Sequence, residues 1–271
     1  MKLPLTVFVI LTAAATAFAQ APVVATGGVL NAASFSLNQG VAPGSLVSIF
    51  GTNLAAGLAL ADTIPLSTSL GNVTVKFNGI AAPLLFVSHS AANGDQINAQ
   101  LPYEVPTGNA QVVVTNGATS SAPATFNVIS AAPGIFAVNY GVGQAIAYGN
   151  NDGQLAAPVG SISGLTTHPA KIGDPNTLAI LATGLGAVNP PVTTGNAVTD
   201  GLVHRTVVDP VVLVGGVEAQ LVFSGIQPQF PGVYQINIII VAGTPTGDKV
   251  PLQLVMNGIT TTDQVTIAVT N

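Results

Sequence analysis

The chain carries one pattern twice. Val47-Ser48-Ile49-Phe50-Gly51-Thr52-Asn53-Leu54 returns as Leu178-Ala179-Ile180-Leu181-Ala182-Thr183-Gly184-Leu185. Asn78-Gly79-Ile80 returns as Gly215-Gly216-Val217, and Leu84-Leu85-Phe86 as Leu221-Val222-Phe223. Gln96-Ile97-Asn98 returns as Gln235-Ile236-Asn237, and Asn116-Gly117 as Asn257-Gly258. These landmarks keep one order, so the chain must fold as a tandem duplication of one β-rich unit.

Residues 1–19 read as a secretory leader: Met1-Lys2, an apolar run, then Ala17-Phe18-Ala19 before Gln20. A basic start, a short apolar stretch and a small-residue site direct export and cleavage rather than anchoring. The expected location is secreted: extracellular, cell surface or periplasm. The chain has 0 cysteines, so core burial must stabilise it without disulfides, and thiolate chemistry is absent. Only 6% of residues are charged, with a net charge of −5; about 25% charged is ordinary. So few cations argue against nucleic acid and against anionic lipid surfaces.

Helical periodicity is missing, and 30 Gly and 19 Pro divide short β-branched runs. Strands are expected at 46–52, 72–77, 82–88, 95–101, 110–115 and 124–129. The second copy places them at 177–183, 210–214, 219–224, 232–241, 250–256 and 264–269. Asn78-Gly79, Gly215-Gly216, Asn116-Gly117 and Asn257-Gly258 suit tight hairpins. In 232–241, Tyr234, Ile236, Ile238 and Ile240 alternate with Gln235, Asn237 and Ile239, which puts the first set inward. In the first copy Ile97, Ala99 and Leu101 point inward and Gln96, Asn98 and Gln100 outward. Phe77, Phe86 and Phe223 follow strand alternation and are expected in the core. The stretch between the copies holds a small hairpin around Asn150-Asn151-Asp152-Gly153 and is expected to pack. Lead-in strands are expected at 29–33 and 154–157.

The strand and turn Val47–Leu54 resemble the opening of IPT/TIG domains, an immunoglobulin-like sandwich family. A wider resemblance is to a secreted acidobacterial module, the Solibacter uncharacterised C-terminal domain. Its blocks are Leu30-Asn31-Ala32-Ala33-Ser34-Phe35, Val41-Ala42-Pro43-Gly44-Ser45, Gln96-Ile97-Asn98-Ala99-Gln100, Ala132-Pro133-Gly134-Ile135-Phe136 and Ala182-Thr183-Gly184-Leu185-Gly186. The resemblance implies fold and export, and brings no catalytic residues.

Chemistry-bearing patterns are sparse. Gly141-Val142-Gly143 and Gly184-Leu185-Gly186 lack the third glycine and basic residue of a phosphate loop. His89, His168 and His204 have no metal-ligand spacing, so no metal site and no cofactor is expected; Asp152 would be the residue to test for calcium. Asp200, His204, Arg205 and Asp209 crowd one loop, but no G-x-S-x-G nucleophile elbow accompanies them. Tyr103, Tyr140, Tyr148 and Phe230 sit in or near loops and are the candidate ligand-binding aromatics. The amide pairs Gln96/Asn98 and Gln235/Asn237 either meet sugar hydroxyls or bond within the sheet.

The expectation is an all-β protein of two tandem immunoglobulin-like sandwiches with a packed connector. Its parts are a signal peptide 1–19, a first sandwich 20–130 with its lead-in, a connector 131–172 and a second sandwich 173–271. The expected role is a non-catalytic extracellular or envelope module for adhesion, assembly or protein binding. The alternatives are a carbohydrate-binding protein and a hydrolase with an unrecognised site. Protein or polysaccharide partners at the cell surface are expected, without nucleic acid. Self-association through 232–241 would require that strand to lie at a sheet edge. Any ligand site is expected in what is not repeated: connector, loops or the junction of the copies.

Overall fold

The computed structural model describes residues 20–92, 94–261 and 264–271, so the expected leader lies outside the described residues. Every regular element among them is a strand, and none is a helix able to cross a membrane.

Two sheets form each copy, in one strand order. In the first copy, Val23–Asn31, Leu46–Thr52, Asp95–Gln100, Leu84–Ser88 and Ala59–Leu60 lie side by side. The facing sheet runs Ala124–Val128, Gly108–Asn116, Val73–Phe77 and Ile80–Ala81. In the second copy, Leu178–Thr183, Tyr234–Ile239 and Gln220–Ile226 take the central places of the first sheet. Gln264–Thr270, Gly247–Met256, Val211–Val214 and Val217–Glu218 take those of the second.

The alternation works as expected. Tyr234, Ile236 and Ile238 are 0% exposed, while Gln235 and Asn237 face out. Burying each such isoleucine contributes about 1.5–3 kcal/mol. Hairpin chemistry also holds: Asn78-Gly79, Gly215-Gly216 and Asn257-Gly258 have positive φ at both residues. At Asn116-Gly117 only the glycine does. The turn after the opening strand is left-handed in both copies, with Asn53 at φ 56° and Gly184 at φ 82°. That shared geometry explains why asparagine and glycine exchange there.

The connector packs. One core draws on residues from Val24 to Val128 and the other on residues from Ala131 to Val269. Ala131, Ile135, Ala145, Ala147, Ala156 and Ala170 enter the second core. Ala147–Gly149 and Leu155–Ala156 pair as a small hairpin through Asn150–Gly153 and extend the second copy's first sheet.

Three expectations are corrected. The two lead-ins differ: Val23–Asn31 pairs directly with the opening strand, whereas Leu155–Ala156 lies one strand further out, behind Ala147–Gly149. Tyr234–Ile239 is central, between Leu178–Thr183 and Gln220–Ile226, so it offers no edge for self-association. Phe86 and Phe223 are not core residues. A register irregularity between Leu84 and Phe86, repeated between Leu221 and Phe223, switches the alternation. Each ring therefore stands on the outer face, opposite Asn98 and Asn237 respectively.

Candidate functional site

The two copies meet through a dense set of directed contacts. Asn31 is 2% exposed. Its Oδ1 accepts the backbone N–H groups of Ala33 and Ser34 at 2.8 and 3.1 Å, and its Nδ2 donates to the Ala132 carbonyl at 2.8 Å. A Cβ on Gly134 would sit 2.5 Å from Asn31 Oδ1, and one on Gly184 would sit 2.0 Å from the Ala132 oxygen. Thr183 Oγ1 accepts from Leu46 N at 2.9 Å and donates to the Gly232 carbonyl at 2.7 Å. Gln100 points outward as expected, yet is buried. Its Nε2 donates to Gly44 O at 3.1 Å, and its Oε1 accepts from Gly195 N at 2.6 Å. Thr194 accepts from Tyr103 N and donates to Glu104. Asn31, Gly44, Gln100, Gly134, Thr183 and Gly184 all belong to the sequence blocks behind the wider resemblance. Those blocks are the clamp that joins the copies.

Three of the four candidate aromatics stand at this junction. Tyr103 has its ring against Gly44, where an added Cβ would lie 2.0 Å from it. Among the described residues its buried hydroxyl makes no hydrogen bond of ordinary geometry; the neighbouring Tyr234 phenol donates to the Gly186 carbonyl. Burial pushes the Tyr103 phenol up to about 12. Tyr140 is 80% exposed and meets Phe35 edge-on at 5.6 Å, while Phe35 in turn lies 6.2 Å from Phe50. Phe230 is 52% exposed and lines a cavity of about 570 Å³ with Ile64, Leu66 and Leu85 of the first copy. Tyr148 lies elsewhere, half-buried beside Leu155 and Ala179 on the second copy's sheet. No cavity described brings two of the four together.

Each histidine holds an aspartate. His89 Nδ1 meets Asp95 Oδ1 at 2.7 Å, and Asp95 Oδ2 accepts Leu54 N. His168 Nε2 meets Asp152 Oδ2 at 2.8 Å, with Nδ1 on the Pro169 carbonyl at 2.9 Å. His204, 4% exposed, meets Asp200 Oδ2 at 3.0 Å through Nε2 and the Pro190 carbonyl at 2.6 Å through Nδ1. Carbonyl and carboxylate oxygens only accept, so His168 and His204 satisfy both contacts only as imidazolium. Burial lowers the His204 pKa, but the Pro190 carbonyl and Asp200 outweigh it and leave it raised. The Pro169 carbonyl, then Asp152, raise that of His168 against burial. Asp200 is held low by the Leu202 N–H, then by His204; Asp152 by the Gln154 N–H, then by His168. Asp152 thus has both oxygens engaged, on Gln154 N and His168. Among the described residues no group of three acids or histidines is placed to hold a metal ion. The crowded loop divides: Asp200 pairs with His204, Asp209 accepts from Thr206, and Arg205 turns to the sheet face.

On that face the amide pairs bond along their own strands. Gln96 Nε2 donates to Asn98 Oδ1 at 2.8 Å, and Gln235 Nε2 to Asn237 Oδ1 at 2.9 Å. Around the second pair lies a groove of about 500 Å³, walled by Leu202, Val203 and Pro228. Arg205 Cζ stands 5.1 Å from the centroid of the Phe223 ring at its side. Sequence reading missed this grouping, because the bulge that turns Phe223 outward leaves no mark in the residue pattern. The outward amides and the loop arginine were legible separately; their meeting beside Phe223 was not.

Residues 33–128 match the IPT/TIG domain profile. With two sandwiches of one strand order, the fold is immunoglobulin-like. No functionally curated protein matches the chain. Among solved structures, domains 5–6 of the S-layer protein SbsC are similar over 92% of this chain and 99% of that one, at 13% identity and TM-score 0.27. The Bacteroides ovatus mixed-linkage glucan utilization locus protein SGBP-B, in complex with a heptasaccharide, is similar over 85% and 43%, at 13% identity and TM-score 0.30. The Escherichia coli adhesin FdeC is similar over 86% and 62%, at 14% identity and TM-score 0.25. At these scores the likenesses bring no ligand or partner with them.

Proposed function

We propose that the chain is an exported, non-catalytic module of the cell surface or envelope, serving adhesion, assembly or protein binding. Residues 1–19 are its leader, 20–130 and 173–271 its two sandwiches, and 131–172 a connector folded onto the second. The blocks that resemble the Solibacter uncharacterised C-terminal domain support the exported reading. The observation that carries the reading is the junction. Side-chain bonds from Asn31, Gln100 and Thr183 cross between the copies and are buried, where each is worth about 1 kcal/mol. Such a junction makes one stiff two-sandwich body, suited to presenting surfaces at a fixed spacing. His204 supports the non-catalytic side: an imidazolium with both nitrogens engaged has no lone pair with which to act as a base.

The test is retention. Beads carrying the chain without residues 1–19 should capture envelope or surface fractions of the producing cell and leave the captured material unaltered. Failure to retain either fraction overturns the binding role. Turnover in a hydrolase screen, lost in His204→Ala, overturns the non-catalytic one. One observation favours the carbohydrate-binding alternative, namely the open amide groove beside Arg205.

A further inference from the structure

We infer that the outer face of the second sandwich, at Gln235, Asn237 and Arg205, binds a saccharide that carries a carboxylate, of the hexuronic acid class. The floor of the groove supplies the first reason. Gln235 and Asn237 spend one amide group each on one another. Among the described residues Asn237 Nδ2 and Gln235 Oε1 have no protein partner, so the groove offers one donor and one acceptor side by side. Vicinal sugar hydroxyls, which both donate and accept, fit that pair.

Arg205 supplies the charge. It is exposed, and among the described residues no carboxylate lies within the 4.0 Å of an ion pair. Its guanidinium is stacked on the Phe223 ring, with one weak donation to the Val222 carbonyl at 3.4 Å. The contact holds the guanidinium beside the ring and leaves N–H groups for a carboxylate, which takes two parallel hydrogen bonds from such a fork. Gly225 makes the stack possible. A Cβ there would lie 2.6 Å from the tip of the Phe223 ring.

A peptide is the rival occupant, and the sheet argues against it. An extended peptide that adds to a sheet takes its affinity from main-chain bonds to a free strand edge. Arg205–Thr206 is paired on both sides, with Val188–Asn189 and with Gln220–Ile226, and Tyr234–Ile239 is paired on both sides as well. The groove therefore offers side-chain amides and a guanidinium without backbone partners. Val203 and Pro228 on its wall suit the C–H face of a sugar ring.

This inference rests on the non-catalytic reading above. The experiment is calorimetric titration of the chain, without residues 1–19, with a galacturonic acid hexamer, a glucose hexamer and a glutamate hexamer. The uronate should bind, more weakly as salt rises, and the other two should not. Arg205→Gln should weaken uronate binding about 10- to 100-fold, and Arg205→Lys less. Asn237→Ala should weaken it about tenfold. Unchanged melting curves would show that each variant folds. No uronate binding, equal binding of the glucose hexamer, tighter binding of the glutamate hexamer, or indifference to Arg205→Gln each overturns the assignment. Hexamer recovered in shortened form, with binding still dependent on Arg205, would overturn the non-catalytic reading and leave the groove standing.

Discussion

The outer faces of the two sandwiches share one layout and differ in the residues around it. Both carry a bulge, a phenylalanine opposite an asparagine, and a glutamine two residues before it. In the first copy Ser48 stands beside Asn98 and donates to its Oδ1 at 2.9 Å, and Gln96 Nε2 also reaches the Ser48 hydroxyl at 3.4 Å. In the second copy Ala179 occupies the Ser48 place, opposite Asn237. The first pair is tied down and the second is open, with Arg205 alongside. The scaffold is common to both copies, and the second has Arg205 beside its amides. The junction contrasts with these faces: its contacts run through buried side chains and past Gly134 and Gly184, where a Cβ has no room.

That contrast predicts its largest effect at Gly184. Its φ is 82°, and a Cβ would meet the Ala132 carbonyl at 2.0 Å and Asn31 Nδ2 at 3.0 Å. Gly184→Ala should cost about 3 kcal/mol or more in urea unfolding. Gly117→Ala, at φ 60° with nothing within 4 Å, should cost only about 1 kcal/mol. Equal losses would mean that the turn alone, and not the junction, demands glycine at 184.

Asn31→Ala comes next. It removes three buried hydrogen bonds, which together are worth about 3 kcal/mol. The wild-type chain should melt in one transition, and this variant should separate into two, one for each core. A single transition in the variant would show that other contacts couple the copies.

The histidine pairs set the response to pH. His204 is raised above its ordinary 6.5 when folded, so its contribution is complete below pH 6.5 and is lost as pH rises through the higher folded value. Asp200 is lowered from 3.8, so its contribution holds above that value and is lost as pH falls through the folded one. Stability should therefore peak between the two values and fall on the alkaline side. His204→Gln should flatten the alkaline limb in denaturant midpoints taken from pH 5 to 9. An alkaline limb unchanged in that variant would assign it to His168 instead.

The strands were legible because a period of two with turn residues between runs leaves few alternatives. Leu46–Thr52 lies where that pattern puts it. The junction was legible only as a set of blocks: Asn31 and Gly134 are 103 positions apart, and no local rule joins them. Tyr103 read as a loop aromatic because its loop is solvent-facing in sequence terms; the second copy covers its hydroxyl. Phe223 was misplaced because one extra residue inverts a face without altering composition.

The smallest predicted effect is the one that isolates the difference between the faces. Ala179→Ser restores to the second copy the hydroxyl that the first copy has at Ser48. The hydroxyl should donate to Asn237 Oδ1, as Ser48 does to Asn98, and draw the Gln235 amide with it. Uronate binding should weaken about three- to tenfold, the worth of one neutral hydrogen bond diverted from ligand to protein. Thermal stability should change little, because serine adds one atom and brings a partner for it. The converse variant, Ser48→Ala, should free the first copy's amides yet gain no uronate binding, because Ala59–Leu60 flanks that face where the second copy has Arg205. If Ser48→Ala did create a uronate site, the amides alone would be sufficient and Arg205 would not be what distinguishes the two faces.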